Sequence, residues 1–153
     1  MCGIVAVTGY KKALPLLING LEKLEYRGYD SAGIAIINSE TNFISCNKAK
    51  GKLKNLISNL NDHNIPGTVG IGHTRWATHG KPEVKNAHPH TDSSGNIAVV
   101  QNGIIENFQE LKNKLENEGT IFNSDTDTEV IPHLIERELN TLSKLNLENN
   151  GST

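Results

Sequence analysis

The stretch MCGIVAVT, residues 1–8, is the most informative part of the chain because a cysteine directly precedes an apolar, strand-like run. Removal of the initiator methionine, which is common ahead of a small residue, would leave Cys2 with its thiol and its α-amine on one carbon skeleton. The pKa of an α-amine is about 7.7–8.0, so this amine could accept the thiol proton near neutral pH. Two interpretations stand at this point: an N-terminal nucleophile, as known for threonine paired with its own amine, or a small buried hydrophobe that opens a strand.

The apolar residues that follow alternate between strand spacing and helix spacing. Strands are expected at residues 3–8, 32–38, 43–47, 69–74 and 96–101. Helices are expected at apolar stripes over residues 14–24, 53–60 and 108–115, and again after residue 126. The last two helices would begin at Asn107 and Thr126, each followed three residues later by glutamate as in a capping box. Because helices and strands mix without a regular βαβ repeat, their order predicts an α+β fold.

The composition excludes several classes of protein. The chain has 153 residues, 36% of them apolar, and a formal net charge of −2, which suits one globular domain. The near-neutral charge lacks the basic field that nucleic-acid-binding proteins use, so no nucleic-acid partner is expected. The longest apolar runs fall short of the roughly 18 residues of a membrane-spanning helix, so no membrane partner is expected. Two widely separated cysteines, with no charged leader ahead of an apolar stretch, favour a reducing cytoplasm.

A glycine-bounded segment, GHTRWATHG at residues 72–80, carries one of only three arginines in the chain. An arginine fork binds a carboxylate through two parallel hydrogen bonds, so Arg75 would suit the α-carboxylate of an amino acid. Trp76 would supply an apolar wall with an indole donor, and Thr78 and His79 would add hydrogen-bonding groups. The other interpretation is a surface turn anchored by a buried tryptophan.

Residues 76–95 lack helix or strand spacing, and loops of this length are usually functional or disordered. Four histidines lie in or beside this loop, namely His73, His79, His88 and His90. None of their spacings matches a zinc-binding motif, and no cysteine or carboxylate falls at the required interval. We therefore expect no metal site and interpret these histidines as hydrogen-bonding groups that hold the loop in shape.

The segment QNGIIEN at residues 101–107 admits a structural and a catalytic interpretation. Asn-Gly between two apolar runs is typical of a hairpin turn. The Asn102 side-chain amide and the unobstructed backbone N–H of Gly103 could instead donate two hydrogen bonds to one developing oxyanion. The sequence leaves both interpretations open.

The segment SDTDTEV at residues 124–130 concentrates three carboxylates, those of Asp125, Asp127 and Glu129. Acidic residues near a helix start commonly cap the helix and complement its dipole. In the functional alternative, Asp127 pairs with the ammonium group of a substrate.

Six blocks stand in order: CGIV at 2–5, LEYRGYDSAG at 24–33, GHTRWATHG at 72–80, NAHPH at 86–90, NGIIEN at 102–107 and SDTDTEV at 124–130. Together they resemble the glutaminase domain of the glutamine–fructose-6-phosphate aminotransferase family, a class II glutamine amidotransferase. The resemblance covers residues 2 to about 138, and the LEYRGYDSAG block separates this family from the amidophosphoribosyltransferase type. The sequence departs from the family pattern at Ala6, where glycine is frequent, and at Gln101, where histidine is frequent. Neither departure touches an expected catalytic atom.

This resemblance implies an N-terminal-nucleophile hydrolase fold, a four-layer αββα sandwich of two antiparallel sheets between helical layers. It implies that Cys2, freed at its amine, attacks the side-chain amide carbon of L-glutamine while the amine relays the proton. Ammonia leaves, and water then hydrolyses the thioester to glutamate. By resemblance, the further site residues are Asn102 and Gly103 for the oxyanion, Arg75 for the α-carboxylate, Asp127 for the α-ammonium group, Trp76, Thr78 and His79 for closure over the substrate, and Arg27 and His88 for holding the site in shape.

The resemblance also implies where the domain ends and which partner it serves. The glutaminase domain would occupy residues 1–142, and the polar residues 143–153 would form a linker or tail. A sugar-phosphate isomerase region, absent from these 153 residues, would use the ammonia to convert fructose 6-phosphate into glucosamine 6-phosphate in a homo-oligomeric full-length protein. No cofactor and no metal are implied. The alternatives are a non-catalytic glutamine-binding module and a glutaminase subunit of a different amidotransferase.

Overall fold

The computed structural model of the chain describes residues 2–60, 65–77 and 80–150, with side chains up to residue 146. Its strands are β1 (Gly3–Val7), β2 (Ser31–Ile37), β3 (Ile44–Lys50), β4 (Gly70–Arg75), β5 (His90–Thr91) and β6 (Ala98–Val99). Its helices are α1 (Ala13–Glu22), α2 (Leu53–Leu60), α3 (Phe108–Asn117) and α4 (Val130–Asn150), with short 3₁₀ turns at Glu25–Arg27, Val84–Asn86 and Asp127–Glu129. The long elements lie close to the positions that the apolar spacing predicts.

A four-stranded antiparallel sheet forms the centre of the fold, with its strands in the order β1, β4, β2, β3. Strand β4 lies between β1 and β2 although it comes later in the chain than both. Gly3 pairs with Thr74, and Ser31 pairs with Arg75. The start of β1, the start of β2 and the end of β4 therefore meet at one end of the sheet, and Cys2 lies there.

Strand β2 is buried on both faces, because helices cover one face of the sheet and the second sheet covers the other. Ala32, Ile34 and Ile36 belong to the main apolar core with residues of α1 and α2. Each fully buried isoleucine contributes about 1.5–3 kcal/mol to this core. On the opposite face, a Cβ atom at Gly33 would lie 2.1 Å from the carbonyl oxygen of His88. Glycine at this position therefore permits the close approach of the segment that leads into β5.

The second sheet is a two-stranded antiparallel ribbon of β5 and β6, in which His90 pairs with Val99. Helix α4 packs against both strands of this ribbon, and α3 packs against α4. The layers are therefore α1 with α2, the four-stranded sheet, the two-stranded sheet, and α4 with α3. This arrangement confirms the expected α+β fold with antiparallel sheets between helical layers.

The segment after β6 does not form the hairpin that its Asn-Gly dipeptide suggests. β6 covers only Ala98–Val99, a small part of the strand expected over residues 96–101, and no further strand follows it in the described part of the chain. Gly103 also lacks the positive φ that a two-residue hairpin turn requires. The loop expected over residues 76–95, in contrast, contains β5 and a 3₁₀ turn.

Helix α3 begins at Phe108 as predicted, whereas α4 begins at Val130 and not directly after Thr126, and the expected capping hydrogen bonds are absent at both positions. Asn107 precedes α3 and Thr126 precedes the 3₁₀ turn before α4, yet neither side chain makes a capping hydrogen bond. Pro132 lies in the first turn of α4, where a missing N–H leaves no helical hydrogen bond unmade. Helix α4 continues beyond residue 142, the expected domain boundary, to Asn150.

The described helices also bear on the question of a membrane. None of the helices within the described ranges is both long and apolar enough to cross a bilayer.

Candidate active site

A cavity of about 330 Å³ opens at the end of the four-stranded sheet where β1 begins and β4 ends. Its walls are formed by Cys2, Arg27, His73, Arg75, Trp76, His88, Gln101, Asn102, Gly103, Ile104, Thr126, Asp127 and Thr128. Every predicted site residue that the structure describes lies in these walls. Thr78 and His79, also predicted, fall outside the described residues. The fold thus brings together positions as far apart in the sequence as Cys2 and Asn102, which are 100 residues apart.

The thiol of Cys2 faces the segment that follows β4. Its Sγ accepts a hydrogen bond from the backbone N–H of Trp76 at 3.3 Å, and the thiol also donates to the Trp76 carbonyl oxygen at 3.7 Å. Cys2 is only half-buried, so the sulfur is accessible from the cavity. This exposure contradicts the interpretation of Cys2 as a buried, inert hydrophobe. The other thiol, Cys46, lies outside the cavity walls, and desolvation raises its pKa.

Asn102 and Gly103 lie next to Cys2 in the loop that follows β6. The Nδ2 atom of Asn102 donates a hydrogen bond to the backbone carbonyl oxygen of Cys2 at 3.3 Å. Both residues are exposed, and a side-chain amide and a glycine backbone therefore line the same cavity as Cys2. Donors at this position suit a negatively charged oxygen that develops on a group bonded to Sγ.

Arg75 supplies a buried positive charge to the cavity. The residue is only 4% exposed, and its Nη2 atom donates to the carbonyl oxygen of Gly80 at 3.3 Å. Desolvation lowers the pKa of Arg75, while the charges of Asp30, Cys2 and Asp127 act in the opposite direction. A guanidinium keeps its proton in proteins, so the cavity holds a cation that can bind a carboxylate bidentately.

Asp127 supplies the opposite charge from the 3₁₀ turn that precedes α4. The residue is 5% exposed, and its Oδ2 atom accepts a hydrogen bond from the backbone N–H of Ile105 at 2.7 Å. This contact ties the turn to the loop that carries Asn102 and Gly103. A cavity that contains one buried cation and one buried anion fits a zwitterion such as a free amino acid.

The other two carboxylates of the segment at 124–130 lie outside the cavity walls. Asp125 forms an ion pair with Lys85 at 2.8 Å on the exposed surface. Glu129 is buried, and its oxygens accept hydrogen bonds from the backbone N–H groups of Asn123 at 2.8 Å and Ser124 at 2.7 Å. Glu129 therefore holds the turn in shape, while Asp127 alone of the three carboxylates reaches the cavity.

Trp76 lines the mouth of the cavity and is 54% exposed, so the expectation of a buried tryptophan anchor is wrong. Its indole ring lies against Gly28, where a Cβ atom would be 3.5 Å from the ring. Gly28 has a φ of 73°, in the left-handed region that favours glycine. Gly28 directly follows Arg27, which also lines the cavity.

The histidines connect the loop at 76–95 to the cavity walls. His88 Nδ1 accepts a hydrogen bond from the backbone N–H of Gln101 at 3.3 Å, and His90 Nε2 lies 2.9 Å from Thr126 Oγ1. Desolvation and nearby positive or imidazole groups lower the pKa values of both rings far below their usual range, so both are neutral. Within the described residues, no group of three or more histidine, cysteine or acidic side chains is arranged for a metal ion.

Sequence reasoning missed Asp30, which holds the segment after β4 in place. Its Oδ2 atom accepts a hydrogen bond from the backbone N–H of Ala77 at 2.6 Å, and its own N–H donates to the Arg75 carbonyl oxygen at 2.8 Å. The sequence feature that could have indicated a role for Asp30 is its position in the block at 24–33, directly before β2. The block alone does not identify the partner, because Ala77 lies 47 positions away.

Comparison with known proteins bears directly on this site. Residues 46–146 match a family described as the glutamine amidotransferase domain. The chain is 62% identical over 136 residues to glutamine–fructose-6-phosphate aminotransferase [isomerizing] from Gloeobacter violaceus. The matched region covers 88% of this chain and 22% of that protein. The enzyme of the same name from Pyrococcus horikoshii is 58% identical over 139 residues, 91% of this chain and 23% of that protein. The chain thus spans less than a quarter of the length of these curated relatives.

Solved structures with the same fold share about a third of the sequence. Glutamine phosphoribosylpyrophosphate amidotransferase from B. subtilis, complexed with ADP and GMP, matches with a TM-score of 0.72 and 32% identity over 90% of this chain and 29% of that chain. A structure described as the allosteric regulatory enzyme of purine biosynthesis matches with a TM-score of 0.74 and 33% identity over 90% of this chain and 30% of that chain.

Proposed function

The chain belongs to the glutamine amidotransferase domain family, and from this membership we propose that it hydrolyses the side-chain amide of L-glutamine to glutamate and ammonia through a thioester on Cys2. The observation that carries the proposal is the meeting of an accessible thiol, a side-chain amide donor, a buried cation and a buried anion in one cavity. These are the groups that Cys2, Asn102, Arg75 and Asp127 supply.

In this proposal the two buried charges hold the backbone end of glutamine. The Arg75 guanidinium binds the α-carboxylate, and the Asp127 carboxylate binds the α-ammonium group. The side-chain amide then extends toward Cys2 in the same cavity. Trp76, with Thr78 and His79 after it, closes over the bound substrate, because ammonia and a thioester both require protection from bulk water.

The covalent steps require that the α-amine of Cys2 is free. This amine takes the thiol proton, and the thiolate attacks the amide carbon to give a tetrahedral intermediate. The amide oxygen becomes negatively charged, and Asn102 Nδ2 and the Gly103 N–H stabilise it. When the C–N bond breaks, the amine returns the proton to the leaving nitrogen, and ammonia departs. Water then cleaves the thioester and regenerates the thiol, with the amine again acting as base.

The fate of the ammonia is proposed from the names of the relatives. In a longer polypeptide, a sugar-phosphate isomerase region would use it to convert fructose 6-phosphate into glucosamine 6-phosphate, within a homo-oligomer. The catalytic unit lies in residues 1–142, with residues 143–153 leading out of it. The free thiols of Cys2 and Cys46 agree with a reducing, cytoplasmic location.

The test is covalent labelling with an electrophilic diazoketone analogue of glutamine, followed by peptide mass spectrometry. We expect the adduct on an N-terminal Cys2, with labelling suppressed by L-glutamine and not by D-glutamine. The matched control is Cys46→Ala, which removes the other thiol and should leave labelling unchanged. Labelling at Cys46, or an unlabelled Cys2 that still carries methionine, would contradict the proposal and favour a non-catalytic glutamine-binding module.

A further inference from the structure

We propose that His73 is a positioning residue that turns the Asn102 side-chain amide so that its nitrogen, and not its oxygen, faces Cys2. This inference rests on the proposed glutaminase function, in which Asn102 must donate to the oxyanion. An asparagine side chain presents a donor at one end and an acceptor at the other. If the acceptor faced the reacting carbonyl group, Asn102 would repel the developing negative charge. The orientation of this one amide therefore decides whether the site stabilises the intermediate.

His73 lies on β4, in the middle of the sheet, and its side chain is fully buried. Strand alternation places it on the same face of β4 as Arg75, so both side chains point toward the cavity. The Nε2 atom of His73 lies 3.1 Å from the backbone carbonyl oxygen of Gln101 and 2.7 Å from Oδ1 of Asn102. One ring nitrogen thus meets two oxygens of the loop that carries Asn102 and Gly103.

The carbonyl oxygen of Gln101 fixes the proton on His73. A backbone carbonyl can only accept a hydrogen bond, so the Nε2 atom that faces it must carry the hydrogen. The other ring nitrogen, Nδ1, is buried and has no hydrogen-bond partner among the described residues. A proton on Nδ1 would leave a buried donor unpaired and would set the Nε2 lone pair against two oxygens.

The fixed proton in turn sets the direction of the Asn102 amide. The atom of Asn102 that meets the Nε2–H group must be the acceptor, Oδ1. The amide nitrogen is then at the other side, where it donates to the carbonyl oxygen of Cys2 at 3.3 Å. The flipped amide would place an NH₂ group against the ring N–H and an oxygen against the Cys2 carbonyl, so it would lose both hydrogen bonds.

The ring of His73 is itself held by its neighbour. It stacks on the ring of His88 with 4.3 Å between centroids and an interplanar angle of 16°. The two rings hold both backbone polar groups of Gln101, because His88 accepts a hydrogen bond from its N–H and His73 donates one to its carbonyl oxygen. The Gln101 side chain adds a third attachment, since its Oε1 accepts from Thr128 Oγ1 at 2.8 Å. The loop is therefore anchored immediately before both of its proposed oxyanion donors.

Two substitutions separate the hydrogen bond from the space that the ring fills. His73→Gln keeps an N–H donor near the position of Nε2, whereas His73→Asn keeps a polar group near the position of Nδ1 and cannot reach Asn102. We expect His73→Asn to lower kcat for glutamine hydrolysis by about 10- to 100-fold with little change in KM, because one oxyanion donor is worth about 10²–10³ in rate. His73→Gln should restore most of the lost rate.

A double substitution tests whether His73 acts through Asn102. In an Asn102→Ala background, His73→Asn should change kcat by less than about twofold, because there is no amide left to orient. Multiplicative losses in kcat, or equal losses in His73→Gln and His73→Asn, would overturn the inference and assign His73 a general structural role. Labelling of Cys2 by the glutamine analogue, measured on each variant, verifies that the nucleophile is intact.

A measurement without turnover separates this inference from the proposed function. Nitrogen-15 NMR of the histidine rings in the wild-type chain reports which nitrogen of His73 carries the proton. A neutral ring protonated at Nε2 is the expected result, and a ring protonated at Nδ1 overturns the inference whether or not the chain hydrolyses glutamine. An Nε2–H ring in a chain that neither labels at Cys2 nor releases ammonia would reject the proposed function alone.

Discussion

Among single residues, Arg75 combines a permanent charge with nearly complete burial. A lysine at this position would keep the charge but would lose the planar fork that binds a carboxylate through two hydrogen bonds. It would also surrender its proton more readily in a desolvated site, because burial lowers the pKa of lysine. The role of Arg75 therefore depends on the shape of the guanidinium as well as on its charge.

We predict that Arg75→Lys raises KM for glutamine by about 10- to 100-fold with a smaller effect on kcat, since hydrogen bonds to charged groups contribute about 1.5–3 kcal/mol. Steady-state assay of ammonia release measures both constants. The matched control is Arg137→Lys on α4, where the guanidinium pairs with Glu138 outside the cavity walls. An unchanged KM in Arg75→Lys would remove Arg75 from substrate binding.

Residues with distinctive chemistry could be predicted from the sequence, whereas residues that act through a partner could not. Cys2 and Arg75 stand out by their position and rarity in the sequence. His73 and Asp30 acquire their roles from Asn102 and Ala77, which lie 29 and 47 positions away. A single sequence does not show which distant residues are in contact. It therefore predicts that the histidines form hydrogen bonds but does not identify their partners.

Among the elements, β2 lies close against the segment that precedes β5. We predict that Gly33→Ala destabilises the fold by about 1–3 kcal/mol, as overpacking does, because the added Cβ would lie 2.1 Å from the His88 carbonyl oxygen. Urea unfolding measures the loss. The matched control is Gly72→Ala on β4, where the added Cβ would meet a Leu21 methyl group at 3.1 Å. A methyl group can move aside, whereas the His88 carbonyl group can move only with the backbone that precedes β5, so equal losses in both variants would contradict this explanation.

The turn before α4 should make the stability of the fold depend on pH. Burial opposes ionisation of Glu129, but the His133 ring, 3.6 Å away, and hydrogen bonds from Asn123 and Ser124 outweigh it and hold the pKa of Glu129 well below its usual value. Because the pKa of Glu129 is lower in the folded state, its carboxylate stabilises the fold fully above about pH 4.5, the ordinary pKa of glutamate. This stabilisation is lost as the pH falls through the pKa of the folded state. We predict that Glu129→Gln lowers the free energy of unfolding at pH 7 and flattens its decline in acid, as measured by urea titration across pH. A parallel decline in both proteins would contradict this role.

Apolar spacing predicted the long elements well and the short ones poorly, for a physical reason. A helix such as α2 or a strand such as β2 repeats its pattern several times, whereas β5 covers only His90–Thr91 and cannot show a period. The Asn-Gly dipeptide predicts a hairpin only if a second strand pairs beyond it. Here the carboxylate of Asp127 takes the N–H of Ile105, so the segment after Gly103 is held by a side chain and not by a ladder.

At the scale of the whole molecule, this chain spans 22% of the length of the Gloeobacter relative. We predict that the purified chain, given glutamine and fructose 6-phosphate, releases ammonia and glutamate and forms no glucosamine 6-phosphate. The reason is that binding and isomerising a sugar phosphate would require the part of the relatives that lies beyond this match. Mass spectrometry of the products decides the matter, with the full-length relative as the positive control. Formation of glucosamine 6-phosphate by this chain alone would contradict the prediction that a further region is required for that step.

The order of the central sheet has a consequence for synthesis. Since β4 lies between β1 and β2, neither of these strands can complete its pairing until the ribosome has made residues 70–75. The hydrogen bond between Trp76 and the Cys2 thiol forms later still, because Trp76 is synthesised 74 residues after Cys2. Throughout that interval the amino terminus is outside any folded sheet and open to methionine removal. Methionine removal, which the proposed function requires, would therefore precede formation of the cavity.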